Sequence, residues 1–182
     1  MVDARRMKPH HLVISCSLNP ESKSRHLATA LHRALIQRDA SAELADLREW
    51  PVPLCDGNSA YNDAKVMDIA ERIRRAHCIL LSVPIYNFDV SAAAKNLIEL
   101  AGRNMEGKIV GFLCAAGGKS SYMSVMSFAS SLMLDFRCLI LPRFVYATGE
   151  AFNESGLKDP AVRERVEQLA GEAIRITTAL NA

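Results

Sequence analysis

The chain has 182 residues, 49% of them hydrophobic, enough to bury one sizeable core, and nothing in its composition asks for a second domain beyond a single unit over 1–182. Charged residues make up 23%, and Lys plus Arg (22) exceed Asp plus Glu (20) by only two, a balance that points away from nucleic acid or an anionic membrane and towards a small-molecule substrate. Cys16, Cys55, Cys78, Cys114 and Cys138 are odd in number and contain no C-x-x-C pair, which fits reduced thiols rather than a disulfide frame or zinc site.

The basic start, Met1 to Pro9, precedes an apolar run too short for a signal sequence and reads as a loose extension. No run reaches the roughly 18 apolar residues of a membrane span. A soluble, cytoplasmic protein is the expectation.

His11 to Cys16 is a short, nearly continuous apolar run, the pattern of a strand covered on both faces. Ser17-Leu-Asn-Pro-Glu-Ser-Lys-Ser24 follows and leads into a helical pattern from Arg25 to Arg38. Ser17, Asn19, Ser22 and Ser24 offer hydrogen bonds there, and a helix N-terminus adds unsatisfied N–H groups, so the loop suits a phosphate. Helix capping by Ser22 or Ser24 is the plainer reading. Against it stand Lys23 and Arg25, cations where the helix dipole disfavours them, and no capping box completes either serine.

Ala42 to Leu47 alternates apolar and polar, as an edge strand does. Trp50 to Asp56 puts apolar residues in a surface connection, equally suited to an interface or to packing over the sheet edge. A helical pattern runs from about Asp63 to Arg75, and a third strand from Cys78 to Val83. After it comes Pro84-Ile85-Tyr86-Asn87-Phe88-Asp-Val90: Pro84 stops the strand, Tyr86 and Phe88 offer flat apolar surface, and Asn87 a donor and an acceptor. A planar heteroaromatic could lie there, or the segment could be a turn with two packed aromatics.

A helix follows from Ala92 to Gly102, then a fourth strand from Lys108 to Cys114. In Ala115-Ala116-Gly117-Gly118-Lys119-Ser120-Ser121-Tyr122 the paired glycines let a ligand edge approach the backbone, although a plain Gly-Gly turn would read the same. A helix from Ser120 to Leu134, a fifth strand from Arg137 to Leu141 and a last helix from Pro160 to about Leu180 complete the chain. Cys16, Cys78 and Cys114 lie in or beside apolar runs and read as core residues. Strands alternating with helices define a doubly wound α/β sheet, whose ligands sit at the carboxyl ends of the strands.

Several chemistries lack their residues. The first loop has no glycine, so it is not a G-x-G-x-x-G turn, and the first glycine of a P-loop ending at Gly118-Lys-Ser120 would fall at Leu113, inside a strand. Ser15-Cys-Ser-Leu-Asn19 lacks the acidic cluster of a phosphorylation receiver. The five histidines form no metal set, and Ser15, Ser17 and Ser82 lack a nucleophile-elbow context.

Together the three loops resemble those of the NADPH-dependent FMN reductase family. Ser17, Asn19, Ser22 and Ser24 match its phosphate loop S-x-(R/N)-x-x-S-x-S; Pro84, Tyr86 and Asn87 match its P-x-Y-N; Gly117 and Gly118 match its Gly-Gly turn; and Lys95 and Asn96 keep its Lys-Asn pair. The resemblance, covering about His11 to Thr148, implies a flavodoxin-like three-layer sandwich with a five-stranded parallel sheet in the order 2-1-3-4-5. It also implies FMN and NAD(P)H as cofactors, bound by Ser17, Asn19, Ser22, Lys23, Ser24, Pro84 to Phe88, Ala116 to Lys119 and Tyr122. Hydride would pass from the nicotinamide to the flavin and on to free flavin, a quinone or another acceptor, with no side chain required as a catalytic acid or base. Many relatives are dimers or tetramers, so a homo-oligomer is implied as well. Ala93, Ala94, Glu99 and Leu100 depart from the pattern and place the chain nearer the branch that reduces free flavin than the quinone and azo reductases. A non-enzymatic flavodoxin-type electron carrier is the rival reading, and a ligand-binding regulator on the same fold is a third. Carriers of that sort are usually strongly acidic, and the +2 formal charge favours the reductase.

Overall fold

The computed structural model describes residues 8–181. The expected loose extension falls mainly on residues 1–7, outside the described residues, whereas Lys8 is held by Asp39. Five parallel strand positions form the sheet. Strand β1 (His10–Ser15) pairs with β2 (Ser41–Asp46) on one side and β3 (Cys78–Tyr86) on the other, and β3 pairs with β5 (Ile109–Ala116). The fifth position beside β5 is split between β6 (Leu139–Ile140) and β7 (Val145–Thr148), so the order is the expected 2-1-3-4-5, with β2 at an edge.

Helices α1 (Lys23–Gln37) and α5 (Pro160–Leu180) cover one face; α2 (Ala64–Arg75), α3 (Ala92–Ala101) and α4 (Met126–Phe136) cover the other. Alternation along β1 sends Leu12 and Ile14 to the second face and Val13 to the first, all fully buried, which is why residues 12–14 are apolar on both faces rather than alternating. None of the described helices is long and apolar enough to cross a membrane.

Three expectations need correction. Pro84 does not stop β3, which runs on to Tyr86. The Ser82 carbonyl accepts from Cys16 N–H, so Pro84, two residues on, faces the same side at a level where β1 has already ended; its missing N–H costs no ladder bond. The fifth strand is not Arg137–Leu141. Helix α4 runs to Phe136 with Arg137 as its left-handed cap at φ 52°, leaving only two residues in β6, and past Pro142 and Arg143 the chain re-enters the sheet as β7. Finally, the helix expected from Ser120 begins at Met126, because residues 120–125 form turns.

Trp50 settles part of the open question about its segment. It is buried, its indole N–H donates to Asp68 at 2.6 Å, and Arg72 lies 4.7 Å over its ring, so it packs on α2. Asn96 of α3 ties down the rest, accepting from Cys55 N–H and donating to the Pro53 carbonyl, both at 2.9 Å. Cys16, Cys78 and Cys114 are buried free thiols, as expected; burial pushes Cys78 and Cys114 up to about 12.

At the amino ends of the strands, burial lowers the pKa of His10, His11 and His77. His11 is 2% exposed, its Nδ1–H donates to the Ser41 carbonyl at 3.1 Å, and Nε2 makes no hydrogen bond among the described residues, so protonation would put a charge in the core at a cost that the Ser41 and Ala173 carbonyls offset only in part. A lowered folded-state pKa means the unfolded chain binds more protons, so stability is fully present above the ordinary value of 6.5 and declines as pH falls below it. The melting temperature should drop between pH 7 and pH 5, with a shallower drop in His11→Leu; a flat profile in the parent protein would contradict this.

Candidate functional site

The loops after β1, β3 and β5 converge at the carboxyl end of the sheet, where strand order reverses about β1, and enclose a cleft of about 940 Å³. Its first wall is residues 17–24. Ser22 caps α1, its hydroxyl accepting from Arg25 N–H at 3.2 Å and lying 2.8 Å from the Ser24 hydroxyl. Capping therefore does occur, but it satisfies one N–H only: those of Lys23 and Ser24, at the positive end of a fifteen-residue helix, have no acceptor among the described residues.

Other bonds hold this wall rigid. Ser82 donates to the Ser24 carbonyl at 2.6 Å, Ser91 donates to the Cys16 carbonyl at 3.1 Å, and the Ser17 hydroxyl accepts from Asn19 N–H at 3.2 Å. Arg25, one of the two cations that argued against plain capping, is 3.1 Å from buried Asp46, which Arg48 also grips at 2.7 Å. Burial raises the Asp46 pKa against the pull of Arg25, so Arg25 answers a charge inside the fold. Lys23 makes no ion pair or side-chain hydrogen bond among the described residues, and its ammonium approaches Gly149 so closely that a Cβ there would lie 2.9 Å from Nζ.

The second wall is a hairpin. Tyr86 pairs with Asp89 of β4 (Asp89–Val90), and the two turn residues Asn87 and Phe88 both have left-handed backbones, at φ 51° and 63°. Asn tolerates that conformation; Phe does so at a cost of about 1 kcal/mol or more. Phe88 is 66% and Tyr86 54% exposed, so neither ring is a packed turn aromatic. Phe88→Gly should therefore hold or raise stability in a denaturant titration, by up to about 1 kcal/mol, while weakening ligand binding; clear destabilisation would show that the ring serves the fold.

The third wall contains Ala115, Ala116, Gly117 and Gly118. A Cβ on either glycine would meet nothing within 4 Å, and neither has a positive φ, so neither packing nor backbone geometry requires glycine; what these residues provide is open space facing the cleft. Tyr146 of β7 anchors this loop, its phenol bonded to the Gly118 carbonyl and 2.8 Å from the Ser121 hydroxyl.

Of the residues expected at the site, only Lys119 and Tyr122 do not line the cleft; Ser17, Asn19, Ser22 to Ser24, Pro84 to Phe88 and Ala116 to Gly118 do. Tyr122 turns outward to pack 5.1 Å from Phe144 and 5.3 Å from Tyr146. Glu21, Ala115, Ser120 and Ser121 complete the lining; none was named as a cofactor ligand, although all four lie within the three loops that the sequence marked.

The order of the sheet, the layers of helices and the position of the cleft define a flavodoxin-like fold with a cleft at the switch point. Residues 9–153 match the model of the NADPH-dependent FMN reductase family, and the chain belongs to that family of flavoenzyme oxidoreductases. It is 32% identical over 148 residues to an NAD(P)H-dependent FAD/FMN reductase of Geobacillus thermodenitrificans, covering 79% of this chain and 80% of that one. It is 27% identical to an FMN-dependent NADH:quinone oxidoreductase of Bordetella petrii, covering 89% and 95% of the two chains. Among solved structures, the NAD(P)H:acceptor oxidoreductase FerB of Paracoccus denitrificans superposes with a TM-score of 0.77 over 94% of this chain and 98% of that one, at 18% identity.

Proposed function

We propose that the chain binds FMN in this cleft, takes hydride from NAD(P)H and delivers the electrons to a free flavin or a quinone. The observation that carries this reading is the division of one cleft into a phosphate end and a ring end: two unsatisfied helix N–H groups, serine hydroxyls and Lys23 on the first wall, against two exposed aromatic rings and two unobstructed glycines on the others. The donor set suits a phosphate monoester, and the shape of the ring end suits a flat heterocycle.

Once bound, FMN supplies the hydride chemistry. The residues of this chain would bind and orient it: the first wall would hold the phosphate, the hairpin aromatics would offer the ring an apolar face, and Gly117 and Gly118 would let its edge approach backbone N–H groups. No side chain in the cleft is assigned as a proton donor or acceptor.

The test is NAD(P)H oxidation by FMN-saturated protein, followed at the nicotinamide absorbance with FMN, a quinone and oxygen offered in turn. Turnover with flavin or quinone is expected. Tight FMN binding with no oxidation for any acceptor would overturn the reductase reading and leave an electron carrier.

A further inference from the structure

The loop that bounds the cleft has a second concave side. Ser120 and Ser121 line the cleft, whereas Tyr122, next in the chain, forms a wall of a separate groove of about 620 Å³ between α5 and the segment joining β6 to β7. Consecutive Cα atoms stand about 3.8 Å apart, so the two concavities share this wall. Phe144 lines the same groove, its ring 5.1 Å from that of Tyr122.

Arg143, Arg165 and Arg175 also line it, with Glu172 as the one carboxylate. Glu172 is bonded to Arg175, which leaves Arg143 and Arg165, both exposed, with no ion pair or side-chain hydrogen bond among the described residues. Arg143 is also held in a left-handed backbone at φ 61°, a conformation costly for a residue with a Cβ and maintained where the surroundings impose it.

We propose that this groove receives the adenosine 2′-phosphate end of NADPH, with Arg143 and Arg165 on the phosphate and the Phe144–Tyr122 pair against the adenine. The proposal rests on the reductase reading above. Guanidinium forks match phosphate oxygens two at a time, and aromatic rings offer a purine a stacking face. The volume lies within the range of small-molecule sites. With its nicotinamide at the ring end of the cleft, a dinucleotide must carry its adenosine out over one wall, and the wall formed by Ser120 to Tyr122 has two unpaired arginines behind it. NADH, lacking the 2′-phosphate, would leave those arginines unused, so the groove makes the chain selective for NADPH.

Binding of 2′,5′-ADP, 5′-AMP and inorganic phosphate to the protein without flavin, by calorimetry, tests the groove independently of turnover. The expected result is 2′,5′-ADP binding at least about tenfold tighter than 5′-AMP, with inorganic phosphate competing only weakly. Arg143→Gly and Arg165→Ala should each weaken 2′,5′-ADP about tenfold and raise KM for NADPH by a similar factor, with 5′-AMP, FMN affinity and KM for NADH unchanged. Arg143→Gly relieves the strained backbone, so its melting temperature should hold or rise as affinity falls, a divergence that separates ligand binding from a structural role. Equal affinity for 2′,5′-ADP and 5′-AMP, phosphate competing as well as 2′,5′-ADP, or variants that leave the NADPH to NADH ratio unchanged would each overturn the proposal. NADH oxidation without discrimination against 5′-AMP would sink the groove and leave the reductase standing; tight 2′,5′-ADP binding with no oxidation of either nucleotide would do the reverse.

Discussion

Lys23→Glu should weaken FMN binding about a hundredfold while leaving riboflavin binding nearly unchanged. Lys23 is the unanswered cation of the first wall, since Arg25 and Arg48 are both committed to Asp46. Losing a charge-assisted hydrogen bond costs about 1.5 to 3 kcal/mol, and a carboxylate facing the phosphate adds repulsion; each 1.4 kcal/mol is tenfold in affinity. Stability should move the opposite way. Lys23 is the first residue of α1, where the helix dipole favours an anion, so the variant should gain about 0.5 kcal/mol in a denaturant titration. Equal losses of FMN and riboflavin affinity would show that Lys23 does not act on the phosphate.

Gly117→Val should lower FMN affinity by at least about tenfold while shifting folding stability by no more than about 0.5 kcal/mol. Most glycines that resist substitution do so because of a positive φ or a neighbour against the missing Cβ. Gly111 is of the second kind, with Leu80 2.8 Å from where its Cβ would lie, and Gly156 of the first, at φ 116°. Gly117 has neither constraint, so a side chain there would occupy only the space proposed for the ligand. The measurement is a flavin fluorescence titration beside a thermal melt. Unchanged FMN affinity would place the ring elsewhere, and a large loss of stability would mean that the loop depends on this glycine for its own conformation.

The parts of the fold legible in the sequence were those whose signal is local. β1, β3 and β5 are buried on both faces and appear as nearly continuous apolar runs, and the three loops follow them directly. What the sequence concealed depended on distant partners. Pro84 looks like a stop, and its tolerance follows from β1 ending one level below it. β7 lies beyond Pro142 and the left-handed Arg143, which made Leu141 look like the end of the sheet; with β7 went Tyr146, the anchor of the Gly117–Gly118 loop. Arg25 looks free in sequence because Asp46, 21 positions away, reaches it only across the β1–β2 pair. Tyr122 sits beside the ligand loop in sequence, yet its ring joins Phe144 and Tyr146 on the outer side.

On the proposed reading, the first wall of the cleft takes a phosphate and the other two walls take a ring. A fluorescence titration of the flavin-free protein with FMN and with riboflavin tests it most directly, because the two ligands share the ring system and differ in the phosphate. FMN should bind at least about tenfold tighter than riboflavin, with the difference shrinking as salt is raised. Equal affinities, or no binding of either flavin, would contradict it.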